Sequence, residues 1–533
     1  MPAALDIAPP SGPRDRPSGR WTSGPAWVFY IAAVALAAQL ATATRYGIFR
    51  DELYYIDCGK HLAWGYVDQP PLIALIAWLE RQAAGDSLLA LRFLPALAGA
   101  VTVWLAGRMA RAFGGCRYAQ ILAALAVLLS LGYLAFFHLL TMNAFEPPIW
   151  TACAAILLRI VQTGNQKLWL WFGLLAGIGL ENKYGILFFG LGVFAGLVLT
   201  RERKALARPW VWLGGAVSLL VWLPNLAWNF AHHWPFLELM RNVRASGRDV
   251  AMNPVAFVIA QTLFMNPLTA AIWMGGLAWL FFGRESRPRR QGARGRYRIL
   301  GWTFLVTMIA FIALKGKAYY LWPGFAMLFA AGGVAIDKLF SRLGGRWVRP
   351  AYAALLVLGG LVFVPITLPV LSADAFVEYV HALHIPIPQV EHQPLGPLNQ
   401  QIYADMFGWE EMAKETAHAY NSLPPDVRAK TAITGGNYGD AGAIDFYGPK
   451  YGLPAAISGH QNYWFWGPRN YAGESMLMLN ESRARVEELC DQWKVVGKVE
   501  NRLSRQDEHF EIYWCQQHRW TLQQIWPTAK HWN

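Results

Sequence analysis

The chain has 533 residues, of which 55% are hydrophobic and only 15% are charged, whereas soluble domains carry about 25% charged residues. This composition excludes a protein that is solvated by water alone. The net charge of +13 is unevenly spread, because residues 1–372 carry 34 Lys and Arg against 15 Asp and Glu, while residues 373–533 carry 13 against 19. The two parts are therefore expected to lie in different surroundings.

The N-terminal segment is rich in Pro, Ser and Arg and has no apolar periodicity over residues 1–20. Such a composition predicts a disordered segment, which we assign to residues 1–24 and to the cytoplasm. The first apolar run begins at Trp27 and has the length of a signal peptide. Ten further apolar runs follow it, so we interpret it as a retained transmembrane helix.

Apolar runs long enough to cross about 30 Å of hydrocarbon recur as far as Leu371. They predict a polytopic all-α membrane domain of about eleven transmembrane helices over residues 25–372. The predicted spans are 25–44, 88–107, 118–136, 146–162, 168–181, 184–200, 209–230, 254–283, 299–314, 319–337 and 350–371.

The loops between these spans differ in charge on the two sides of the membrane. With the N-terminus inside, the inner segments hold 22 Lys and Arg in 71 residues and the outer loops hold 10 in 81. The most basic inner segment runs from Arg284 to Arg298. The positive-inside rule therefore places the C-terminus outside the cytoplasm. Contact with anionic lipid explains the basic loops better than nucleic-acid binding.

Ten of the 15 carboxylates in residues 1–372 lie in or beside the outer loops. Acidic residues contribute little to topology, so this bias indicates a polar site at the outer face. The first outer loop begins with RDELYYIDC at residues 50–58, which predicts a short helix with Asp51 in its first turn. A carboxylate there is favoured by the helix dipole, and a simple capping role is an equal alternative. GYVDQPPL follows at residues 65–72, where Pro-Pro predicts entry into a second amphipathic helix.

These two elements resemble the polyprenyl-phosphate-sugar glycosyltransferases of the GT-C class. That class includes the protein O-mannosyltransferases of glycosyltransferase family 39 and the bacterial transferases that add aminoarabinose to lipid A. The resemblance covers roughly residues 25–340 and is most specific at Asp51-Glu52 and at 68–72. It implies a GT-C-like membrane domain with outer amphipathic helices.

The resemblance also implies site residues. Asp51 matches the acid of the first outer loop, which is catalytic or positions the acceptor in that class. Glu146, before Pro147, stands where the class typically has Asp-Pro, and Gln69 stands where the aminoarabinose transferases have a donor-contacting Lys. We expect Asp51, Glu52 and Glu146 to be catalytic or acceptor-orienting. Expected to bind the donor are Asp68, Gln69, Lys183, Tyr184, Lys315, Lys317, Tyr319 and Tyr320.

The chemistry explains why these residue types are needed. An acceptor hydroxyl that attacks the anomeric carbon needs a carboxylate base, for which we assign Asp51, and single displacement inverts that carbon. The departing phosphate needs cations, which Lys183, Lys315 and Lys317 can supply. The alternative for these lysines is snorkelling to the lipid headgroups.

No cofactor is required by this scheme. A divalent metal stays an alternative, with His61 and Asp68 as its first candidate ligands and His138, His232 and His233 as further ones. None of these residues has the spacing of a dedicated metal motif.

Residues 373–533 are long enough for one further domain. Short strands are predicted at 431–436 and 455–459 around a helix at 440–447, with another helix at 483–493 and a strand at 509–515, giving an extracytoplasmic α/β domain. The GGNYG turn at 435–439 could hold an anion, although a Gly-rich turn after a strand is usually only a turn. The aromatic segment 462–468 could stack on sugar or lie on the membrane, and packing against the helical domain is an equal alternative. Cys490 and Cys515 share this domain, where an oxidising compartment permits a disulfide.

The sequence therefore predicts a glycosyltransferase in the cytoplasmic (inner) membrane. Its expected partners are a polyprenyl-phosphate sugar donor, membrane lipids and an acceptor lipid, glycan or protein, without nucleic acid. The rival hypothesis is a transporter or flippase that moves a polyprenyl lipid or solute without chemistry. A non-catalytic scaffold is a third hypothesis, but it leaves the acids of the first outer loop unexplained.

Overall fold

A computed structural model of the chain describes residues 23–283, 295–344, 347–384 and 391–533. The segment predicted to be disordered, up to residue 22, and most of the basic segment between Arg284 and Arg298 lie outside these ranges. The rest forms a large helical domain followed by a smaller domain with a mixed sheet.

The helical domain contains α1 to α17. Their bounds are Gly24–Thr42, Arg50–Lys60, Leu72–Ala84, Leu88–Leu91, Phe93–Ala112, Arg117–Leu128, Leu131–His138, Met142–Thr163, Leu168–Asn182, Ile186–Val198, Pro209–Ala231, Pro235–Ser246, Pro254–Phe264, Ala270–Phe282, Arg298–Ala313, Phe325–Leu343 and Val348–Phe363. A 3₁₀ segment, Ala318–Gly324, precedes α16. The predicted helices of the first outer loop are confirmed as α2 and α3.

A polytopic helical fold is confirmed, but the predicted count of eleven membrane spans is not. In the described ranges, six helices are long and apolar enough to cross a membrane, or up to eight if the two bent pairs, α6 with α7 and α13 with α14, each form one span. The other predicted spans correspond to shorter apolar helices, α9, α10 and α15. At 1.5 Å per residue, α9 and α10 measure only about 23 and 20 Å.

Close helix packing holds these short segments in place. A Cβ at Gly173 in α9 would lie 1.9 Å from the carbonyl oxygen of Gly214 in α11. The two backbones therefore touch directly, as small residues allow between membrane helices. This contact fixes the turn that follows α9, which carries Lys183.

The C-terminal domain contains α18 to α25 and four strands. The helices are Ala373–Leu383, Gln401–Ala404, Trp409–Asn421, Pro425–Arg428, Tyr438–Tyr447, Asn462–Trp466, Arg483–Leu489 and Leu522–Ala529, and strands β1 to β4 are Thr431–Gly435, Ser475–Leu479, Cys490–Val499 and Phe510–His518. The sheet order is β1-β2-β4-β3, with β1 parallel to β2 and the other pairs antiparallel.

The predicted strand at β1 and helix at α22 are confirmed, but two other assignments are wrong. Residues 455–459 form only a single bridge, between Thr434 and Ile457, and the helix predicted to reach Trp493 ends at Leu489, where β3 begins. Strand β2 was not predicted. Its five residues are all buried, so it lacks the alternating pattern that marks a half-exposed strand.

One face of the sheet shares its hydrophobic core with the first outer loop. Ile433 and Leu477 of the sheet belong to the same buried cluster as Leu53 and Ile56 of α2. The opposite face packs against α24 and α25 through Met476, among others. The outer loop and the C-terminal domain are therefore one packed unit.

The two cysteines of the C-terminal domain form a disulfide. Cys490 in β3 is bonded to Cys515 in β4, with 5.7 Å between their Cα atoms. Cys58, Cys116 and Cys153 are free thiols. Structural disulfides persist mainly in oxidising compartments.

Candidate active site

The first turn of α2 is held by a buried ion pair. Glu52 accepts hydrogen bonds from the backbone N–H groups of Phe49 (2.8 Å) and Leu140 (2.9 Å). Its carboxylate also pairs with Arg92 at 2.7 and 3.0 Å, and the two side chains are 0% and 1% exposed. A catalytic role for Glu52 was expected from the sequence, but its oxygens are occupied by protein donors. This geometry gives Glu52 the task of positioning α2.

Asp51, the neighbouring residue, meets the C-terminal domain. The hydroxyl of Tyr438 donates to Asp51 Oδ1 at 2.7 Å. Tyr438 is the first residue of α22, directly after the N-cap Asn437. The Arg50 guanidinium lies 4.8 Å from the centre of the Tyr438 ring, and the Tyr54 ring packs 4.9 Å from it. Contacts from both the helical domain and the C-terminal domain therefore hold Asp51, the predicted base, in place.

The surroundings of Asp51 make its carboxyl a weaker acid. Burial raises the pKa of Asp51, the Tyr438 hydrogen bond and the nearby Arg50 charge oppose that rise, and the Asp405 carboxylate adds to it. A carboxylate with a raised pKa is a stronger base, which suits proton abstraction near neutral pH.

Replacement of Tyr438 by Phe tests this arrangement. The Tyr438 O–H stabilises the ionised carboxylate, so its loss raises the pKa of Asp51 further. A base works only when ionised, so the predicted role of Asp51 implies that sugar transfer is lost as pH falls through the Asp51 pKa. We expect this acid limb to move to higher pH in Tyr438→Phe. A pH profile of kcat/KM measures the shift. Tyr447→Phe, at the other end of α22, is the control, and an unmoved acid limb in Tyr438→Phe would contradict the assignment.

Asp68 is the second acid of the outer loop. Tyr54 donates to Asp68 Oδ1 at 2.9 Å, and burial raises the pKa of Asp68 to about 7 although this hydrogen bond opposes the rise. Both Asp51 and Asp68 act electrostatically on Tyr55. The two carboxyl groups thus lie in one region of the outer loop.

Gln69 lies in a different environment from Asp51 and Asp68. It is 0% exposed, and its Nε2 atom lies 3.6 Å from the sulfur of Cys58. The side chain therefore points into the protein interior, whereas the sequence predicted that it would contact the donor.

Lys183 joins three of the predicted elements. Its ammonium group lies 3.1 Å from Glu146 Oε2 and 2.6 Å from Asn143 Oδ1. It also lies 5.2 Å and 4.7 Å from the ring centres of Tyr319 and Tyr320. The start of α8, the turn after α9 and the 3₁₀ segment before α16 therefore converge, as the sequence predicted.

The turn after α9 is also fixed by Tyr184. Its hydroxyl donates to the Asn225 side chain of α11 at 2.9 Å. Tyr184 thus anchors the segment that carries Lys183.

Lys317 is the residue directly before the 3₁₀ segment that carries the tyrosine pair. Its ammonium group is 2.6 Å from Glu391 and 3.0 Å from Asp249, so two carboxylates already balance its charge. Lys315 is exposed. Both lysines were expected to bind the donor, but the structure places them in different environments.

Comparisons with a protein-family model and with solved structures support the resemblance to GT-C transferases. Residues 68–228 match the family model described as dolichyl-phosphate-mannose-protein mannosyltransferase. A crystal structure of ArnT from Cupriavidus metallidurans bound to undecaprenyl phosphate superposes with a TM-score of 0.59 at 14% identity, covering 92% of this chain and 97% of that one. The predicted resemblance to GT-C transferases is confirmed. At this identity, the likeness to ArnT is one of fold.

The apo structure of the same ArnT gives the same values, a TM-score of 0.59, 14% identity and coverage of 92% and 97%. The oligosaccharyltransferase of Archaeoglobus fulgidus, in a complex with Zn and sulfate, matches with a TM-score of 0.45 at 15% identity, over 85% of this chain and 68% of that one. No curated protein sequence matches the chain.

Within this GT-C-like fold, the histidines proposed as metal ligands are scattered. His61 stacks on Trp466 with 4.5 Å between ring centres, and His138 Nδ1 lies 3.2 Å from Gln39 Oε1. Over the described ranges, no group of three or more His, Cys, Asp or Glu side chains is arranged to hold a metal ion. The predicted pairing of His61 with Asp68 stays untested.

Two site residues were missed in the sequence. Tyr438 lies in the Gly-rich turn, for which the sequence suggested an anion site or a simple turn and no contact with Asp51. Arg50 is half-buried, and its charge interacts with Tyr438, Asp405 and Glu508 of the C-terminal domain. In the sequence, only the adjacent Asp51-Glu52 pair indicated that Arg50 could belong to the site.

Proposed function

We propose that the chain is an integral membrane glycosyltransferase that moves a sugar from a polyprenyl-phosphate donor to an acceptor at the outer face of the cytoplasmic membrane. The observation that carries the proposal is the partly buried Asp51, held by Tyr438 at 2.7 Å within a fold like that of ArnT. The ArnT structure with bound undecaprenyl phosphate supports a polyprenyl-phosphate lipid as partner.

In the proposed reaction, Asp51 acts as a general base. Tyr438 occupies Oδ1, and among the described residues no hydrogen bond occupies Oδ2, which receives the acceptor proton. The acceptor oxygen forms a bond to the anomeric carbon as the bond from that carbon to the phosphate oxygen breaks. The electron pair leaves with the phosphate, giving polyprenyl phosphate and a sugar of inverted configuration.

Cations would stabilise the charge that develops on the leaving phosphate. Lys183 lies over the Tyr319 and Tyr320 rings, and Lys317 precedes the segment that carries them. Lys183 is paired with one carboxylate and Lys317 with two, and in the proposed reaction each ammonium group exchanges these partners for the phosphate. Arg50, one residue before Asp51, adds a third positive charge.

Lys183 provides a separate test of donor binding. Because Lys183→Met leaves the buried Glu146 carboxylate unpaired, the cleaner variant combines Lys183→Met with Glu146→Gln. We expect the donor KM to rise about tenfold or more in this double variant, as one lost charge-assisted contact predicts. Lys414→Met, at an exposed position of α20, is the control. An unchanged donor KM in the double variant would assign Lys183 a structural role only.

The proposed orientation places the N-terminus in the cytoplasm and the C-terminal domain outside. The positive-inside charge pattern and the Cys490–Cys515 disulfide both support it. Labelling with an impermeant maleimide in spheroplasts tests it, using Ser422→Cys in the C-terminal domain and Asn165→Cys in a predicted inner loop, both at exposed positions. Only the first should react, and labelling of the second alone would overturn the orientation.

A strain that lacks the protein tests the function as a whole. Mass analysis of its envelope lipids and glycans should show one acceptor without its sugar, restored by the intact chain and not by Asp51→Asn. Restoration by Asp51→Asn would remove the base from the mechanism.

A further inference from the structure

The C-terminal domain contains a cavity that the proposed catalysis does not use. Its volume is about 490 Å³, and it lies on the sheet face opposite to α2, against α24 and α25. Its lining includes Gly436, Ser458, Glu481, Arg485, Trp526 and His531. The cavity thus combines a carboxylate, an aromatic ring and several hydrogen-bonding groups.

The position of the cavity follows from the sheet topology. It opens beyond the carboxyl ends of β1 and β2, the parallel pair, where the loops diverge and where ligands bind in open α/β sheets. A Cβ at Gly459 would lie 1.9 Å from the carbonyl oxygen of Ala529. Glycine at this position lets α25 pack against the segment after residue 457 and close the wall. The cavity volume lies within the range of about 300–1,000 Å³ that is typical of small-molecule sites.

Glu481 is the side chain that points to a ligand. It follows β2 and is half-buried, and across the described residues its carboxylate has no hydrogen-bond or ion-pair partner. Burial raises the pKa of Glu481, while the nearby charges of His531 and Arg485 oppose that rise. Water can solvate the exposed part of this carboxylate, and a ligand that brings hydroxyl or amine donors would replace that water with direct hydrogen bonds.

The cations of the cavity are already engaged. Arg485 donates to Glu488 at 2.8 Å, and Lys530 pairs with Glu238 of α12 at 2.7 Å. This arrangement disfavours an anionic ligand. It favours a neutral or cationic molecule rich in hydrogen-bond donors.

Trp526 adds an apolar surface. Its indole N–H donates to the carbonyl oxygen of Trp464 at 2.9 Å, which fixes the ring at the cavity wall. A sugar ring presents a rim of hydroxyl donors around an apolar C–H face. Glu481 and Trp526 together match those two features.

A continuous stack connects the cavity with the candidate active site. The His531 ring lies parallel to His460 at 4.8 Å and 5°, and His460 stacks on Tyr438 at 5.1 Å. Tyr438 in turn donates to Asp51. An occupant beside His531 would therefore lie two rings away from the tyrosine that positions the base.

We propose that this cavity binds a neutral or amino hexose unit of the acceptor, so that the acceptor is a molecule carrying a glycan. The inference rests on the proposed transferase function and deepens it by naming the acceptor class. Glu481 accepts from the hydroxyl or amine groups of this unit, and Trp526 packs against its C–H face.

Saturation-transfer NMR on the full chain in detergent tests the inference, with glucose, glucosamine and glucuronate as probes. We expect transfer to glucose and glucosamine and weaker transfer to glucuronate. Glu481→Gln and Trp526→Ala should each weaken binding about tenfold, as the loss of one well-formed contact predicts. The matched controls are Glu487→Gln, on the exposed face of α24, and Trp520→Ala, which is 44% exposed.

The outcomes separate this inference from the transferase proposal. Absence of binding to any probe, preference for glucuronate, or equal weakening in the control variants would overturn the inference even if Asp51→Asn abolishes sugar transfer. Thermal unfolding must show that the Glu481→Gln variant is folded. Conversely, specific hexose binding that depends on Glu481, in a chain that transfers no sugar, would retain the cavity as a saccharide site and reject the transferase.

Discussion

Asp51→Asn is expected to reduce sugar transfer by about 10²- to 10⁴-fold, the usual contribution of a general base. The amide keeps the size of the side chain, and its Oδ1 atom can still accept the hydrogen bond that Tyr438 now donates at 2.7 Å. The variant should therefore fold and insert normally. Transfer is measured in membranes supplied with polyprenyl-phosphate sugar.

The control for this variant is Asp86→Asn in the same outer loop. Asp86 forms an exposed ion pair with Arg81, and such pairs contribute little to stability. Its removal should leave transfer unchanged. Full activity in Asp51→Asn, at equal protein level, would reject Asp51 as the base.

Arg92→Met is expected to have the largest effect on stability. Arg92 is 1% exposed and pairs with Glu52, and it also donates to the carbonyl oxygens of Ala43 at 2.6 Å and Gly47 at 2.9 Å. Its loss would leave the Glu52 carboxylate buried and unpaired. Removal of one partner of such a pair costs about 3–5 kcal/mol of unfolding free energy, which thermal unfolding in detergent would detect.

Two further variants separate a structural role of Glu52 from a catalytic one. The double variant Arg92→Met with Glu52→Gln removes both charges and should therefore recover part of the lost stability. If Glu52 only positions α2, the folded fraction of Glu52→Gln should retain most of its transfer activity. A fall of 100-fold or more in kcat per folded molecule, on the order expected for a catalytic group, would restore Glu52 to the catalytic residues.

Local signals in the sequence predicted much of the site. The helices α2 and α3 follow from residues 50–58 and the Pro70-Pro71 pair, since each signal acts within a few residues. Lys183 and Glu146 were both expected at the outer face, since each lies at the outer end of a predicted span, but their direct contact was not predicted. The structure places the two side chains 3.1 Å apart.

The contacts that the sequence did not predict join distant parts of the chain. Tyr438 lies 387 residues from Asp51, and Glu391 lies 74 residues from Lys317. No spacing rule connects such residues. Tyr438 reaches Asp51 because the C-terminal domain packs against α2. Glu391 reaches Lys317 where the loop after α18 pairs with Asp249. Gln69, which the resemblance placed at the donor, is instead buried against Cys58 of α2.

The most direct measurement is a balance of products from the purified chain in proteoliposomes. The donor is a polyprenyl-phosphate sugar with a labelled sugar, and the acceptor comes from the strain that lacks the protein. The account predicts that free polyprenyl phosphate and labelled acceptor appear in equal amounts, at a rate that collapses in Asp51→Asn. Movement of intact donor between the leaflets, with no polyprenyl phosphate released, would contradict the transferase and identify a transporter.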